Sequence, residues 1–502
     1  MPKTHRTLLQ AGAALSVLLA LSAPARAQTA GDDRVTNADT LLLTTDRDFG
    51  AGFDVFTNKG VVRLDKAATP WRLSFLNLER FENAGGLVDL RNERAGDVLT
   101  LSGAYVGSDD ARLGLDVDGN VVDRLVIAGA ATGKTAILLN SVSPAKAVLL
   151  DKPIDLISVG TGSRSDAFSL TRADQGLVRY GLTYDSKTRV FRLNTSAGLA
   201  VHRSVRAVEG MRFAWRASAE AFDFEQAAAR AAGGEGGRVW AVAHGARIDR
   251  DADGDDFALG YEQELVGGQM GASLGARPLA GGLAAYGVTG GYVDSTLEFE
   301  DEGQSIDMQT INLGLYGAWR SDDLFATALL KVDQHELTIE DPAAGFSADL
   351  DGLSWGARFE AGYRIDLGGL ALEPVVGLDY LGTTLDDLNV LGQSVAFEDR
   401  QGFSGRIGGQ ALSRREFASG SAVLLSAGLE LVHDFDAEQK GTLRSNGQTD
   451  EVALTGPETY GRALLGVQLE TGFGVQTYLQ GEGRFGDGQS GAGLRLGARY
   501  RF

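Results

Sequence analysis

From residue 238 to residue 502, apolar and polar positions alternate with a period of two. In the last segment Leu494, Leu496, Ala498, Tyr500 and Phe502 share one face, while Arg495, Gly497, Arg499 and Arg501 share the other. Successive side chains of a strand point to opposite sides, so an unbroken apolar row opposite three arginines predicts hydrocarbon outside and water inside. Elsewhere Leu370, Leu372, Pro374, Val376, Leu378 and Tyr380 oppose Glu373 and Asp379. Val423, Leu425, Ala427, Leu429 and Leu431 oppose Ser426 and Glu430. Trp240 and Trp319 fall near strand ends, the place of interfacial aromatic girdles. Twelve strands are predicted, near 238–248, 256–276, 282–299, 306–320, 322–338, 350–366, 369–383, 395–411, 420–436, 452–469, 472–485 and 491–502. Long polar links alternate with mostly short ones, the mark of an antiparallel transmembrane β-barrel.

Upstream, residues 28 to 193 carry short strands punctuated by Gly, Asn and Asp. Phe56-x-Asn58-x-Gly60 precedes Val61, Val62 and Leu64, and Phe81-x-Asn83-x-Gly85 precedes Leu87, Val88 and Leu90. This repeat predicts rungs of a parallel β-helix. Further short strands are predicted within Gly96–Gly103, Leu113–Asp118 and Asp123–Gly129. Residues 213 to 232 are rich in Ala, Glu, Gln and Arg, good helix formers, and Gly233 to Gly237 then break the helix. Two placements are open for its charges Arg216, Glu220, Asp223, Glu225 and Arg230. They face lumen charges such as Arg495 and Arg499, or the helix stands exposed before the barrel.

Composition narrows the choices. The chain has 502 residues, enough for two domains. Beyond the N-terminus no run of 18 uncharged apolar residues exists, which excludes a helical membrane protein and leaves a barrel open. A formal charge of −20 argues against nucleic acid as a partner. The absence of cysteine excludes a disulfide scaffold and a thiolate metal site. Lys3, His5 and Arg6, the apolar stretch from Leu8 to Leu21, and Ala25-Arg26-Ala27 before Gln28 predict a signal peptide over 1–27, cleaved between Ala27 and Gln28.

Candidate chemistry is sparse. Gly129-Ala-Ala-Thr-Gly133-Lys134-Thr135 falls one residue short of a phosphate-binding loop and reads as a rung turn. Asp249, Asp251 and Asp253, followed by Gly254, resemble the start of a calcium loop. Position twelve, however, is Gly260 where an acid is needed, so a solvated acidic loop is expected. No G-x-S-x-G elbow occurs before the barrel, and His202 reads as a solvated linker residue. Asp109-Asp110 and Asp116/Asp118 read as turn residues. No catalytic residue, metal site or cofactor is expected.

With these features assembled, the chain resembles the monomeric autotransporters of type V secretion. Tyr500-Arg501-Phe502 resembles their terminal strand, with Tyr500 and Phe502 as the barrel-assembly signal. The Ala-rich segment resembles their pore helix. Gly96 to Gly129, above all Asp123-Arg124-Leu125-Val126-Ile127-Ala128-Gly129, resembles the junction region that helps the β-helix fold after export. The resemblance implies an all-β chain with a signal peptide (1–27), a short β-helical passenger (28–205), a linker and pore helix (206–237) and a 12-stranded antiparallel transmembrane barrel (238–502). It implies a monomer in the outer membrane of a Gram-negative bacterium, exporting and anchoring its own passenger for adhesion or surface interaction. Implied partners are outer-membrane lipid, the general secretory translocon, periplasmic chaperones, the barrel-assembly machinery and a surface ligand. In some relatives an Asn pair in the helix supports passenger self-cleavage; this helix contains no Asn. A passive porin-like channel and a hydrolase passenger are the alternatives.

Overall fold

The computed structural model describes residues 31–502 except 67–68, 172, 232–236, 252–256, 258, 301–302, 419, 472–473 and 487. The expected cleavage residues Ala27 and Gln28 lie outside the described residues, as do Asp253, Gly254 and Gly233 to Gly236.

The N-terminal region is a solenoid of three sheets whose strands pair mainly in parallel. One sheet holds Arg34–Asn37, Val55–Asn58, Arg80–Ala84, Ala104–Ser108 and Ala131–Gly133 in spatial order. A second holds Thr40–Leu43, Val61–Leu64, Leu87–Asp89, Arg112–Asp118, Thr135–Ser141 and Phe168–Thr171. In the third, Ile154–Ser158 pairs with Val190–Ala197, which closes the stack through an antiparallel hairpin with Val178–Asp185. The expected repeat sets the register: Phe56 lies beside Phe81 and Asn58 beside Asn83. The Phe56 and Phe81 rings pack with centroids 5.2 Å apart, and Asn58 Nδ2 donates to Asn83 Oδ1 at 2.9 Å. The ladder extends both ways with other residues. Asn37 donates to Asn58, and Asn83 donates to the Tyr105 hydroxyl, which meets Thr135 Oγ1 at 2.9 Å. Tyr105 supplies the ring and the polar group together, so the next turn loses its sequence signature. The close stacking also explains a glycine: a Cβ at Gly86 would lie 2.4 Å from Asn58 Nδ2.

Two expectations about this region need correction. The helix, α1, spans Leu199–Ala231 and begins well before residue 213. The expected passenger boundary at 205 therefore falls inside it; the solenoid ends at Ala197. His202 is no solvated linker residue, because its ring stacks on Phe257 at 3.8 Å in the first turn of α1. The segment around Gly133 and Lys134 is a corner between two sheets, as a rung turn requires. Asp109 and Asp110 sit at a turn with positive φ, but Asp116 is a fully buried strand residue.

Twelve long antiparallel strands form the C-terminal half, and Arg238–Arg250 pairs with Gln489–Arg501 to close the barrel. Its outer face carries a band of side chains open to the surroundings: Val266, Ile311, Leu429 and Leu465 are 70%, 68%, 66% and 69% exposed. So large an apolar surface is stable only against lipid. At the end bearing the long loops, outward positions turn acidic (Glu264, Asp294, Asp307, Glu336, Asp349), which marks where the strands leave the hydrocarbon. Trp319 sits near the opposite rim. Trp240 departs from its expected girdle role. It is 3% exposed and points into the lumen, against Phe222 of α1. Asp249 departs too, lying within the strand Arg238–Arg250 beside Arg247 rather than on a loop. Asp251 follows that strand.

Candidate functional site

The lumen concentrates buried charge of both signs, and α1 runs through it. A helix fits because the strands turn charged residues inward at alternate positions, while Ala at 217, 219, 221, 228 and 229 keeps the helix slim. One flank of the helix is apolar: Trp215, Phe222 and Phe224 pack on Trp240, Tyr316, Leu329, Leu381 and Tyr478.

The other flank is ionic. Glu220 lies at the centre of an arginine cluster, with Arg495 at 2.6 Å, Arg484 at 2.7 Å and Arg462 at 3.3 Å. The wall residue Glu482 shares the three arginines, at 2.6 Å from Arg495 and 3.0 Å from Arg462. Asp223 accepts from Arg358 at 3.0 Å and Arg406 at 3.1 Å. Glu225 meets Arg499 at 3.2 Å and Arg238 at 3.3 Å, and accepts the Tyr478 hydroxyl. Arg216 donates to Asp434 at 2.7 Å and Arg230 to Glu360 at 3.3 Å. All five helix charges singled out from the sequence thus meet wall partners. The open choice between a lumenal and an exposed helix resolves to the lumen, with Arg495 and Arg499 among the partners.

Other members escaped the sequence reading. Glu209 pairs with Arg250 at 3.1 Å and Arg206 at 2.9 Å, near the loop end of α1. Both helix residues precede the Ala-rich segment that betrays the helix. Lys331 and Asp333 form a buried pair, and Lys331 also donates to Ser218 Oγ at 2.7 Å. The available signal was inward parity: each wall charge alternates with a lipid-facing residue, as Lys331 does with Leu330 and Val332.

Buried ion pairs have little net value over an apolar core, but breaking one strands its partner's charge. The network therefore defines the position of the helix more than it adds stability. Gaps beside the helix are small: one lined by Glu220, Asp223, Arg406 and Arg462 has a volume of about 50 Å³, and one lined by Gln226, Arg230, Arg238 and Trp319 about 70 Å³. Each holds only a few waters.

A second polar cluster lies in the solenoid. Asp97, Asp116 and Asp123 are each 0% exposed. Asp123 accepts the backbone N–H groups of Gly96, Asp97 and Asp116 at 2.9, 2.9 and 2.7 Å. Burial, with the two neighbouring aspartates, pushes the Asp123 carboxyl up to about 7 despite these donors. The Asp123-to-Gly129 block so occupies mid-solenoid, where its first residue ties three turn segments together.

Residues 239–483 match the family model described as Autotransporter beta-domain. Among solved structures, the chain is similar to the β-domain of the Bordetella autotransporter BrkA, with 20% identity and TM-score 0.43 over 53% of this chain and 100% of that one. It is similar to the transport unit of AIDA-I from Escherichia coli, with 17% identity and TM-score 0.44 over 53% and 90%. The translocator domain of NalP from Neisseria meningitidis gives 17% identity and TM-score 0.43 over 58% and 99%. No curated protein matches the chain.

Proposed function

We propose, for a chain whose C-terminal half is an autotransporter β-domain of the outer membrane, that the barrel serves one cargo, its own solenoid, and keeps it attached at the cell surface for adhesion or surface contact. The observation that carries this is the course of α1. It leaves the solenoid at Leu199, runs unbroken to Ala231 inside the barrel, and is pinned there by buried ion pairs. A helix held in this way both anchors the passenger and closes the pore. The helix contains no Asn, so the Asn-pair chemistry that releases some autotransporter passengers has no counterpart in it.

Intact cells treated with protease are expected to lose the solenoid while the barrel survives, and untreated cells to carry passenger and barrel as one chain. A passenger confined to the periplasm would overturn the proposal. The passenger is assigned no catalysis; hydrolysis of an ester, peptide or glycan panel by surface-displayed protein would revise that. Purified protein is expected to show little steady conductance in planar bilayers, since a passive channel needs a lumen wider than these small gaps.

Assembly by the secretory translocon, periplasmic chaperones and the barrel-assembly machinery, as a monomer, belongs to the same proposal. Tyr500 and Phe502 are 48% and 74% exposed at the closing strand's end, accessible to a partner that binds aromatic side chains. Phe502→Asp is expected to reduce the heat-modifiable barrel in outer-membrane fractions, and unchanged migration would count against such a role.

A further inference from the structure

The gap next to Trp319 lies at the end of the barrel that bears the short turns 280–281 and 322–323, away from the passenger. Its wall side follows from strand register. Ala276 pairs with Ala285, Ala285 with Ala318, and Ala318 with Thr327, one lateral row across four neighbouring strands. Cross-strand partners share a face, and the buried Thr327 shows that this face is the lumen. Four short side chains in a row leave a recess in the wall. One step nearer the turns Leu283 pairs with Arg320, which is open to water at the mouth.

The helix side supplies donors. Gln226 and Arg230, four residues apart on one face of α1, both line the recess. Gln226 is 2% exposed, and its Oε1 accepts from Arg238 Nη2 at 3.0 Å. Its Nε2 has no hydrogen-bond partner among the described residues. Arg230 lies against the Phe325 ring at 3.9 Å and reaches Glu360 through Nη2, but its Nε and Nη1 have no hydrogen-bond partner among the described residues. Three buried donors thus meet the recess without an acceptor, an arrangement that folded proteins rarely leave unfilled. The charge balance points the same way. No acidic residue lines the recess, while Arg230, Arg238 and Arg320 do. The acids nearest Arg230, Glu360 and Glu373, also serve Arg406 and Arg364, and Glu225 is shared between Arg238 and Arg499. Arg320 forms no ion pair among the described residues.

We propose that this recess is a binding site for a small carboxylate carried on a short aliphatic group, entering from the periplasm. The carboxylate accepts from Gln226 Nε2 and the Arg230 guanidinium, with Arg320 at the mouth, and the aliphatic part rests on the alanine row and Leu283. Guanidinium groups bind carboxylate and phosphate alike, so the apolar floor makes the distinction in favour of the aliphatic acid. Gln226 and Arg230 belong to the helix, and Arg238 and Arg320 to the wall. A bound acid therefore bridges helix and wall and stabilises the plugged barrel in proportion to its occupancy. The site needs only the helix in the lumen and is independent of what the passenger does.

The test titrates purified full-length protein in detergent micelles with N-acetylalanine, by calorimetry and by the temperature at which the folded barrel melts on gels. Saturable binding to one site and a raised melting temperature are expected. N-acetylalanine amide, which lacks the charge, should not bind, and inorganic phosphate should bind at least about tenfold more weakly. Arg320→Gln should weaken N-acetylalanine binding about tenfold, the scale of one lost charge-assisted hydrogen bond. Ala285→Leu, which fills the recess, should abolish it. Heat-modifiable migration reports whether each variant barrel is folded, and Arg320→Gln, altered at an exposed position, decides the matter if Ala285→Leu assembles poorly. No saturable binding, equal binding of the amide, or unchanged affinity in Arg320→Gln overturns the site. Phosphate binding as tightly as N-acetylalanine overturns the assignment to an aliphatic acid.

Discussion

The solenoid and the barrel are both made of strands, yet they are inverted relative to one another. The solenoid stacks Phe56, Phe75, Phe81 and Tyr105 inside. The barrel turns Leu and Ile outward and encloses Arg358, Arg462, Arg484 and Arg495. The solvent decides the difference, because lipid accepts the apolar face of a strand and a water-filled lumen accepts the charged one. The polar interiors differ as well. The solenoid's Asn37–Asn58–Asn83 ladder is neutral and repeats with the turns, whereas the lumen is ionic and irregular. A neutral ladder suits a permanent core. An ionic lumen suits a helix that bears the complementary charges.

Substitutions can break this contrast. The largest effect is expected from Glu220→Ala, which leaves Arg484 and Arg495 with Glu482, and Arg462 with Glu482 and Glu430. A loss of about 5 kcal/mol fits the upper range for a disrupted buried ion pair. The folded barrel should melt at lower temperature on gels and gain anion-preferring conductance, while passenger protease resistance persists. Phe81→Ala should do the reverse. Removing the middle ring costs about 4 kcal/mol in a packed core, so the passenger becomes protease-sensitive and barrel migration stays unchanged. Asn58→Ala leaves the Asn37 amide and Asn83 carbonyl without their ladder partner, for about 2 kcal/mol, measured as a lower denaturant midpoint for passenger proteolysis.

The smallest effect is a pH dependence confined to the solenoid. The folded Asp123 carboxyl lies at about 7, above its ordinary value of 3.8, so the folded state binds the extra proton. Its contribution is complete below the ordinary carboxylate range and is lost as pH rises through about 7. Between about pH 6 and pH 8 the passenger should lose about 1.4 kcal/mol, and Asp123→Asn should flatten that slope. Equal pH slopes in the two chains would show that Asp123 does not titrate in this range.

Much of the architecture was legible because each region carries a periodic solvent signal. Period-two alternation marks every barrel strand, and the 25-residue spacing of Phe56/Phe81 and Asn58/Asn83 predicts parallel turns that the register reproduces. The start of α1 was not legible. Leu199 to Arg212 mixes valines with charges and lacks the Ala-rich bias, since both wall and loops surround those residues. Trp240 misled for a related reason. A strand end near the membrane rim suits an outward girdle, but inward parity carries the indole to Phe222.

Local sequence specifies which side of each barrel strand meets lipid and where the alternating barrel strands begin. These properties follow from local periodicity and need no partner. Long-range packing brings Glu220, Asp223 and Glu225 to arginines more than a hundred residues away, and brings Ser445 and Asn446 to the backbone of Leu149. Such pairings depend on barrel closure and on the depth of the helix within the lumen, quantities that arise when distant strands meet and that no local pattern encodes.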